Sequence, residues 1–231
     1  MKGTPSVDKV RKDFDRLADL SEEGGWDHNA YYHPFLLRRL PERFGEALEV
    51  GCGTGAFARL LASRCERVVA IDLSPRMVEV ARSRSKGHPN IEYEVADATS
   101  WRFPEEGFDC VVSIMTMHHL PLGPTLRKMR DALRPGGALL VLDLYQASSV
   151  ADYLLSASAF PAGMALRLAK TGGLSDPQSE ALRRAWEEHG KTDVYPTLGE
   201  VRGVCEAELP GASVRRHLLW RYSVLWRKPI P

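Results

Sequence analysis

Ala47-Leu48-Glu49-Val50-Gly51-Cys52-Gly53-Thr54-Gly55 is the stretch that decides the fold. A short buried strand runs into three glycines at alternate positions, and Ala56 to Ser63 then resumes with helical spacing. Glycines at such a handover let the backbone turn sharply and let a ligand approach the main chain, because no Cβ intervenes. Outward from the turn the chain alternates. Arg67 to Asp72 reads as a second strand, and a helix opened by Ser74-Pro75 runs to about Lys86, with Ser74 as N-cap and Pro75 at the first helical position. Ile91 to Ala96 and Phe108 to Met115 are the third and fourth strands. A helix from about Thr125 to Leu133 ends in Arg134-Pro135-Gly136-Gly137, and Ala138 to Leu144 makes an apolar fifth strand. Short apolar strands alternating with helices predict a parallel sheet covered on both faces, a doubly wound α/β fold.

Composition bounds the rest. A chain of 231 residues suits one domain with a small cap, and 44% hydrophobic with 26% charged residues is ordinary for a globular protein. Lys plus Arg number 31 against 30 Asp plus Glu, so a net charge of +1 gives no electrostatic case for nucleic acid or an anionic membrane. The four cysteines stand far apart without C-x-x-C or a histidine at ligand spacing, and no metal site is predicted from them. No signal region opens the chain and no apolar run approaches the ~18 residues of a membrane span, so the expectation is a soluble, cytoplasmic protein, monomeric or homodimeric.

Four segments follow. Residues 1–44 read as a helical or lid segment: Val7 to Leu20 is an amphipathic helix, followed by the aromatic cluster Trp26, His28, Tyr31, Tyr32, His33 and Phe35, with Pro34 opening a short helix. Residues 45–145 are the α/β core. Residues 146–210 read as a helical cap, in at least two pieces around Gly172-Gly173, with Thr197-x-x-Glu200 as a capping box for a further helix. Residues 211–231 hold two runs that suit antiparallel strands.

The chemistry lies at strand ends. Strand two ends in Asp72, 21 positions after Gly51, where a carboxylate grips a ribose diol. Strand three ends in Asp97, the next ligand-facing position. A glycine turn and two acids in that order indicate a nucleoside cofactor. Gly51-x-Gly53-x-x-Ala56 also satisfies the loose dinucleotide fingerprint. Five strands are too few for two mononucleotide halves plus a substrate domain, however, and no Ser-Tyr-Lys arrangement follows.

Glu49-Val50-Gly51-Cys52-Gly53-Thr54-Gly55, Ala70-Ile71-Asp72-Leu73-Ser74-Pro75-x-Met77, Ala96-Asp97-Ala98, Phe108-Asp109 leading to His118-His119-Leu120, and Leu133-Arg134-Pro135-Gly136-Gly137 together resemble the class I S-adenosylmethionine-dependent methyltransferases. The resemblance is close over residues 45–145. It implies a seven-stranded, mostly parallel sheet whose antiparallel last strand slots beside the fifth. It also implies that Glu49, Gly51, Gly53 and Gly55 border the methionine end of the cofactor, that Asp72 holds the ribose and that Leu73 lies on the adenine. Met77 belongs to the same cofactor set. Asp97 would bond the adenine amino group, Ala98 its ring edge, and Met115 would lie beside the sulfonium.

Methyl transfer from a sulfonium needs a base only where the nucleophile must lose a proton early. His119 is the candidate, because an imidazole titrates near neutrality and stands just past strand four. In phosphoethanolamine methyltransferases, which this stretch resembles locally, a histidine at the matching position works with an N-terminal tyrosine, a part Tyr31 or Tyr32 would take. His118, Trp186, His189 and Asp193, with Tyr32, are the candidate substrate residues. His189-Gly190 also reads as an ordinary helix end, and Tyr31 and Tyr32 also read as packing. The Asn/Asp-Pro-Pro-Tyr signature of nucleic-acid amino methylation is absent, with Ile114-Met115-Thr116-Met117 in its place. The expectation is a small-molecule acceptor and S-adenosylhomocysteine as by-product. The alternatives are a quinone or lipid acceptor, or a protein that binds the cofactor without turnover.

Overall fold

The computed structural model describes residues 6–21, 30–148, 152 and 179–231. Seven strands form one sheet in the order β3-β2-β1-β4-β5-β7-β6. The parallel strands are β1 (Phe44–Val50), β2 (Cys65–Asp72), β3 (Ile91–Val95), β4 (Phe108–Ile114) and β5 (Leu133–Leu144). β7 (Arg221–Arg227) runs antiparallel beside β5, with Val141 opposite Val224, and β6 (Ser213–Arg216) pairs antiparallel with β7 at the edge. The mostly parallel seven-stranded sheet with flanking helices is the fold expected. The order reverses between β1 and β4, and their carboxyl ends open there into the crevice where such sheets bind ligands.

Helices α1 (Val7–Asp19), α2 (His33–Leu37), α3 (Ala56–Ala62), α4 (Pro75–Arg84), α5 (Leu122–Asp131), α6 (Glu180–Gly190) and α7 (Leu198–Glu208) surround the sheet. The period of two along β1 and β2 sends alternate residues into separate cores. Leu48, Val50, Val69 and Ile71 pack on one face under α5 and α7, whereas Ala47, Val68 and Ala70 pack on the other with α3. Two helix starts are fixed as their sequences require. The Ser74 hydroxyl accepts from the Met77 amide, and Thr197 with Glu200 makes both bonds of a capping box.

Several boundaries differ from expectation: β1 and β2 begin at Phe44 and Cys65, ahead of Ala47 and Arg67. Pro135-Gly136-Gly137 does not precede β5 but lies inside it, across a register shift opposite Phe108 and Cys110. The main chain there is already engaged: Gly136 donates to Lys228 O at 2.8 Å and Lys228 donates to Gly137 O at 2.9 Å. α5 also starts at Leu122, a turn before Thr125. Trp26, His28 and most of the expected cap, residues 149–151 and 153–178, lie outside the described residues.

Asp109 holds three strand starts together. Its Oδ2 accepts from the amides of Gly45 (3.0 Å) and Glu46 (2.8 Å) on β1 and from Arg134 Nη1 (3.0 Å) on β5. Partial burial alone would raise this carboxyl, but the three donors outweigh it and hold it below the ordinary value. Asp109→Ala leaves two amides without their acceptor and should lower unfolding free energy by about 1–3 kcal/mol in urea titration at pH 7. Because the folded pKa is depressed, the wild-type advantage should disappear as pH falls through that value.

Candidate functional site

Each of the three glycines of the turn is left-handed, with φ of +77° at Gly51, +51° at Gly53 and +75° at Gly55. The three glycines serve different ends, which corrects the expectation that all three open the main chain to a ligand. A Cβ on Gly51 would stand 2.0 Å from Thr116 Oγ1, and one on Gly55 2.2 Å from the Tyr93 hydroxyl. Those two glycines allow protein to pack on protein. A Cβ on Gly53 would meet nothing within 4 Å, so its bare side faces open space.

That space is a cavity of about 690 Å³ over the carboxyl ends of the strands. It lies within the roughly 300–1,000 Å³ of small-molecule sites. Glu49, Gly51, Gly53, Asp72, Leu73 and Met77 line its floor, and Asp97, Ala98 and Met115 line the adjoining side. Gly55 is not among the lining residues. Asp72 is oriented by two backbone donors, Gly53 N at 2.8 Å and Ser74 N at 2.9 Å. Burial nevertheless raises its carboxyl above the ordinary range. Asp97 Oδ1 accepts from the amide and hydroxyl of Thr99 at 2.8 and 2.7 Å. Met115 is held at φ +56°, a conformation costly for a side chain with Cβ, while its amide bonds Leu142 O.

Glu49 is 2% exposed, and its Oε2 has no hydrogen-bond partner. Burial, with Asp72 beside it, pushes this carboxyl well above the carboxylate range despite a bond from the Ala58 amide. An orphaned buried oxygen aimed at a cavity marks the place of a missing donor. A ligand ammonium fits it.

The other half of the cavity is roofed by α1, α6 and the segment after α6. Val10 and Phe14 come from α1, Trp186 and His189 from α6, and Asp193 and Tyr195 from beyond. His118 and His119 enter from the short 3-10 turn Met117–His119 that follows β4. Asp143 of β5 accepts from His118 twice, from its amide at 2.8 Å and at Nδ1 at 2.6 Å. Burial opposes a charge on His118, but Asp143 and Asp193 outweigh it and raise the imidazole above its usual value. His119 is the opposite case. Burial, together with the imidazoles of His118 and His189, pushes it down to about 2, and its Nε2 has no partner. Phe14 packs edge-on against both His119 and His189, at ring-centre distances of 5.5 and 4.9 Å.

His118, His119, Trp186, His189 and Asp193 are thus brought to one cavity with the cofactor candidates. The two tyrosines are not. Tyr31 is exposed, and Tyr32 is buried with its hydroxyl donating to Leu218 O at 2.7 Å, so neither lines the cavity or stands ready to work with His119. The aromatic segment instead sends His33 to the wall, packed on Phe57. Asp143 was missed, because Ala138 to Leu144 reads as an apolar strand; its one acid was the signal that could have marked it. Phe14 carried no signal beyond a helical apolar face.

The comparisons agree with this geometry. The family described as "Methyltransferase domain" matches residues 47–137. An uncharacterized methyltransferase from Mycobacterium tuberculosis is 32% identical over 209 residues, covering 89% of this chain and 98% of that protein. A demethylmenaquinone methyltransferase from Tropheryma whipplei is 30% identical over 141 residues, 58% of this chain and 59% of that one. The crystal structure of the N-methyltransferase NodS from Bradyrhizobium japonicum, in complex with S-adenosylhomocysteine, has the same fold (TM-score 0.62, 20% identity, 96% of this chain and 99% of that one). The chain belongs to the class I S-adenosylmethionine-dependent methyltransferases. S-adenosylmethionine is its cofactor, and no described helix is long and apolar enough to cross a membrane.

Glu49 binds its proton more tightly folded than unfolded, so its contribution to stability is present at low pH and is lost as pH rises through the raised folded value. Glu49→Gln should therefore flatten the fall in melting temperature of the cofactor-free protein between about pH 5 and pH 8. An unchanged slope would remove Glu49 from the acids that are neutral in the folded chain.

Proposed function

We propose that this enzyme methylates a small, polar acceptor held beneath the α1–α6 roof, with the cofactor lying along the strand ends. The observation that carries the reading is the single cavity shared by Glu49, Asp72 and Asp97 on one side and His119, Asp193 and Trp186 on the other. When bound, S-adenosylmethionine supplies an electrophilic methyl group on a positively charged sulfur. Asp72, its carboxylate fixed by the Gly53 and Ser74 amides, would accept from the ribose hydroxyls. Asp97 and Ala98 would meet the adenine edge, and Leu73 its face. Glu49 would receive the amino group and, once paired, would hold its charge. Met115 stands at the end of β4 between the two halves.

The chain's main task is then alignment, which is worth roughly 7–11 kcal/mol when nucleophile, methyl carbon and sulfur are held in line. Two roof atoms state what kind of acceptor fits. His119 Nε2 and Asp193 Oδ1 are buried without hydrogen-bond partners, and leaving each so costs about 1–3 kcal/mol. A hydroxyl or amine on the acceptor satisfies them, whereas a hydrocarbon chain does not. This favours a polar small molecule, or the polar head of a quinone, over a lipid tail. His119, neutral across the working range, would meet the nucleophile through a hydrogen bond at Nε2 rather than store its proton.

Calorimetric titration with S-adenosylhomocysteine should show one site. Asp72→Ala should weaken that binding about 10–100-fold, the loss of charged hydrogen bonds worth roughly 1.5–3 kcal/mol. Unchanged affinity would end the ribose assignment. With a panel of hydroxyl- and amine-bearing acceptors, turnover is read as S-adenosylhomocysteine formed. His119→Ala should lower kcat by about 10²-fold or more while cofactor affinity stays close to wild type. Wild-type turnover in that variant would remove His119 from the transfer.

A further inference from the structure

Three imidazoles converge on one buried carboxylate without bonding to it. Asp193 has a side chain only 3% exposed, and its Oδ2 stands 4.0 Å from His118 Nε2 and 3.6 Å from His189 Nε2. Its Oδ1 stands 3.9 Å from His119 Nδ1 and has no hydrogen-bond partner. Among the described residues this carboxylate accepts a hydrogen bond from Tyr195, whose hydroxyl donates to Oδ2 at 3.0 Å. Two of the imidazoles are tied from behind. His118 Nδ1 lies 2.6 Å from Asp143 Oδ1, and His189 Nδ1 lies 3.1 Å from Asp13 Oδ2. A neutral imidazole that donates through Nδ1 presents the lone pair of Nε2 to whatever it faces. In that form the Nε2 atoms of His118 and His189 would set lone pairs against the Asp193 carboxylate, and a cation held between them relieves the opposition.

We propose that His118, His119 and Asp193 form a binding site for a divalent transition-metal ion of the zinc type, at the acceptor end of the cavity. One ligand atom from each of the three lies within 4.8 Å of the others. Ligands about 2.1 Å from a tetrahedral ion lie roughly 3.4 Å apart. The present spacings, 4.0 Å from His118 Nε2 to Asp193 Oδ2 and 3.9 Å from His119 Nδ1 to Asp193 Oδ1, are each about half an ångström longer, so the carboxylate would turn to bring its oxygens onto the ion. Two imidazoles and one carboxylate with a free position is the donor set of open zinc sites. The Asp143 carboxylate behind His118 is the outer partner that fixes a metal-binding imidazole in its tautomer. The free position faces the cavity, where an oxygen of the acceptor would complete the coordination. His189 stands at the rim of the cluster, so the ion would also tie α6 and α1 to the end of β4.

The site can be tested with neither cofactor nor acceptor, so its failure is separate from that of the methyl-transfer reading. The tag-free full chain is stripped with a chelator, dialysed and titrated with zinc chloride by calorimetry. The expected result is one equivalent bound at micromolar concentration or tighter, with a raised melting temperature. Asp193→Asn should abolish stoichiometric binding, and Asp143→Asn, which leaves the three ligands in place, should weaken it roughly 10–100-fold. Failure of the wild-type chain to bind one equivalent overturns the proposal whatever the variants do. So does stoichiometric binding that a folded Asp143→Asn keeps at full strength, because the ion would then sit on other histidines or cysteines. A competing proton on His118 or His189 would show itself as the first of these outcomes.

Discussion

The Asp72 carboxylate accepts from Gly53 on one side and Ser74 on the other, and so binds the glycine turn after β1 to the start of α4. The turn exists only because Gly51 and Gly55 lack side chains where Thr116 and Tyr93 press against them. It keeps its shape because two of its amides, Gly51 and Cys52, bond Ile71 O and a third is held by Asp72. Ser74 in turn caps α4, and its hydroxyl reaches Asp15 on α1 at 2.6 Å. One carboxylate therefore sets the cavity floor, orients the neighbouring helix and, through that helix, the roof. Moving it would shift all three together.

The cavity's two halves suit opposite electrostatic demands. The floor carries three acids, Glu49, Asp72 and Asp97. Burial raises both Glu49 and Asp72, which reduces the mutual repulsion of neighbouring carboxylates. A cationic ligand bound beside them would restore their charge and so strengthen its own binding. The roof answers with imidazoles. His119, kept neutral by burial and by its two neighbouring histidines, adds no positive charge to the cavity, whereas a lysine there would repel a cationic ligand.

Most of the floor was legible because its signals are local. A strand, a glycine turn, and an acid at the end of each of the next two strands occupy fixed offsets in a βαβ unit, and main-chain geometry enforces those offsets. The left-handed φ values at Gly51, Gly53 and Gly55 are what such a turn demands. The roof had no comparable code. Asp13 meets His189 across 176 positions of chain, and Asp143 meets His118 across 25. Such pairs depend on how helices pack after the sheet has formed. Tyr31 and Tyr32 show the limit clearly. Aromatic residues near the start of the chain looked like partners for His119, yet Tyr32 spends its hydroxyl on Leu218 O. Phe14, on an ordinary amphipathic helix, is the residue of α1 whose ring reaches His119 and His189.

The roof is held less firmly than the floor. α1 meets α4 and α6 through a small apolar cluster of Leu17, Ala18, Met77 and Ala185, separate from the two sheet cores. Around it stand the ion pairs Arg16–Glu188 and Arg76–Asp19, with side chains about half exposed. Exposed pairs of this kind contribute about 0–1 kcal/mol each, and a satellite cluster of four residues opens at far lower cost than either core. Cofactor and product must pass in and out of a cavity whose floor is rigid sheet. α1, which lines the upper half of that cavity, is held by far less buried apolar surface than the strands beneath it.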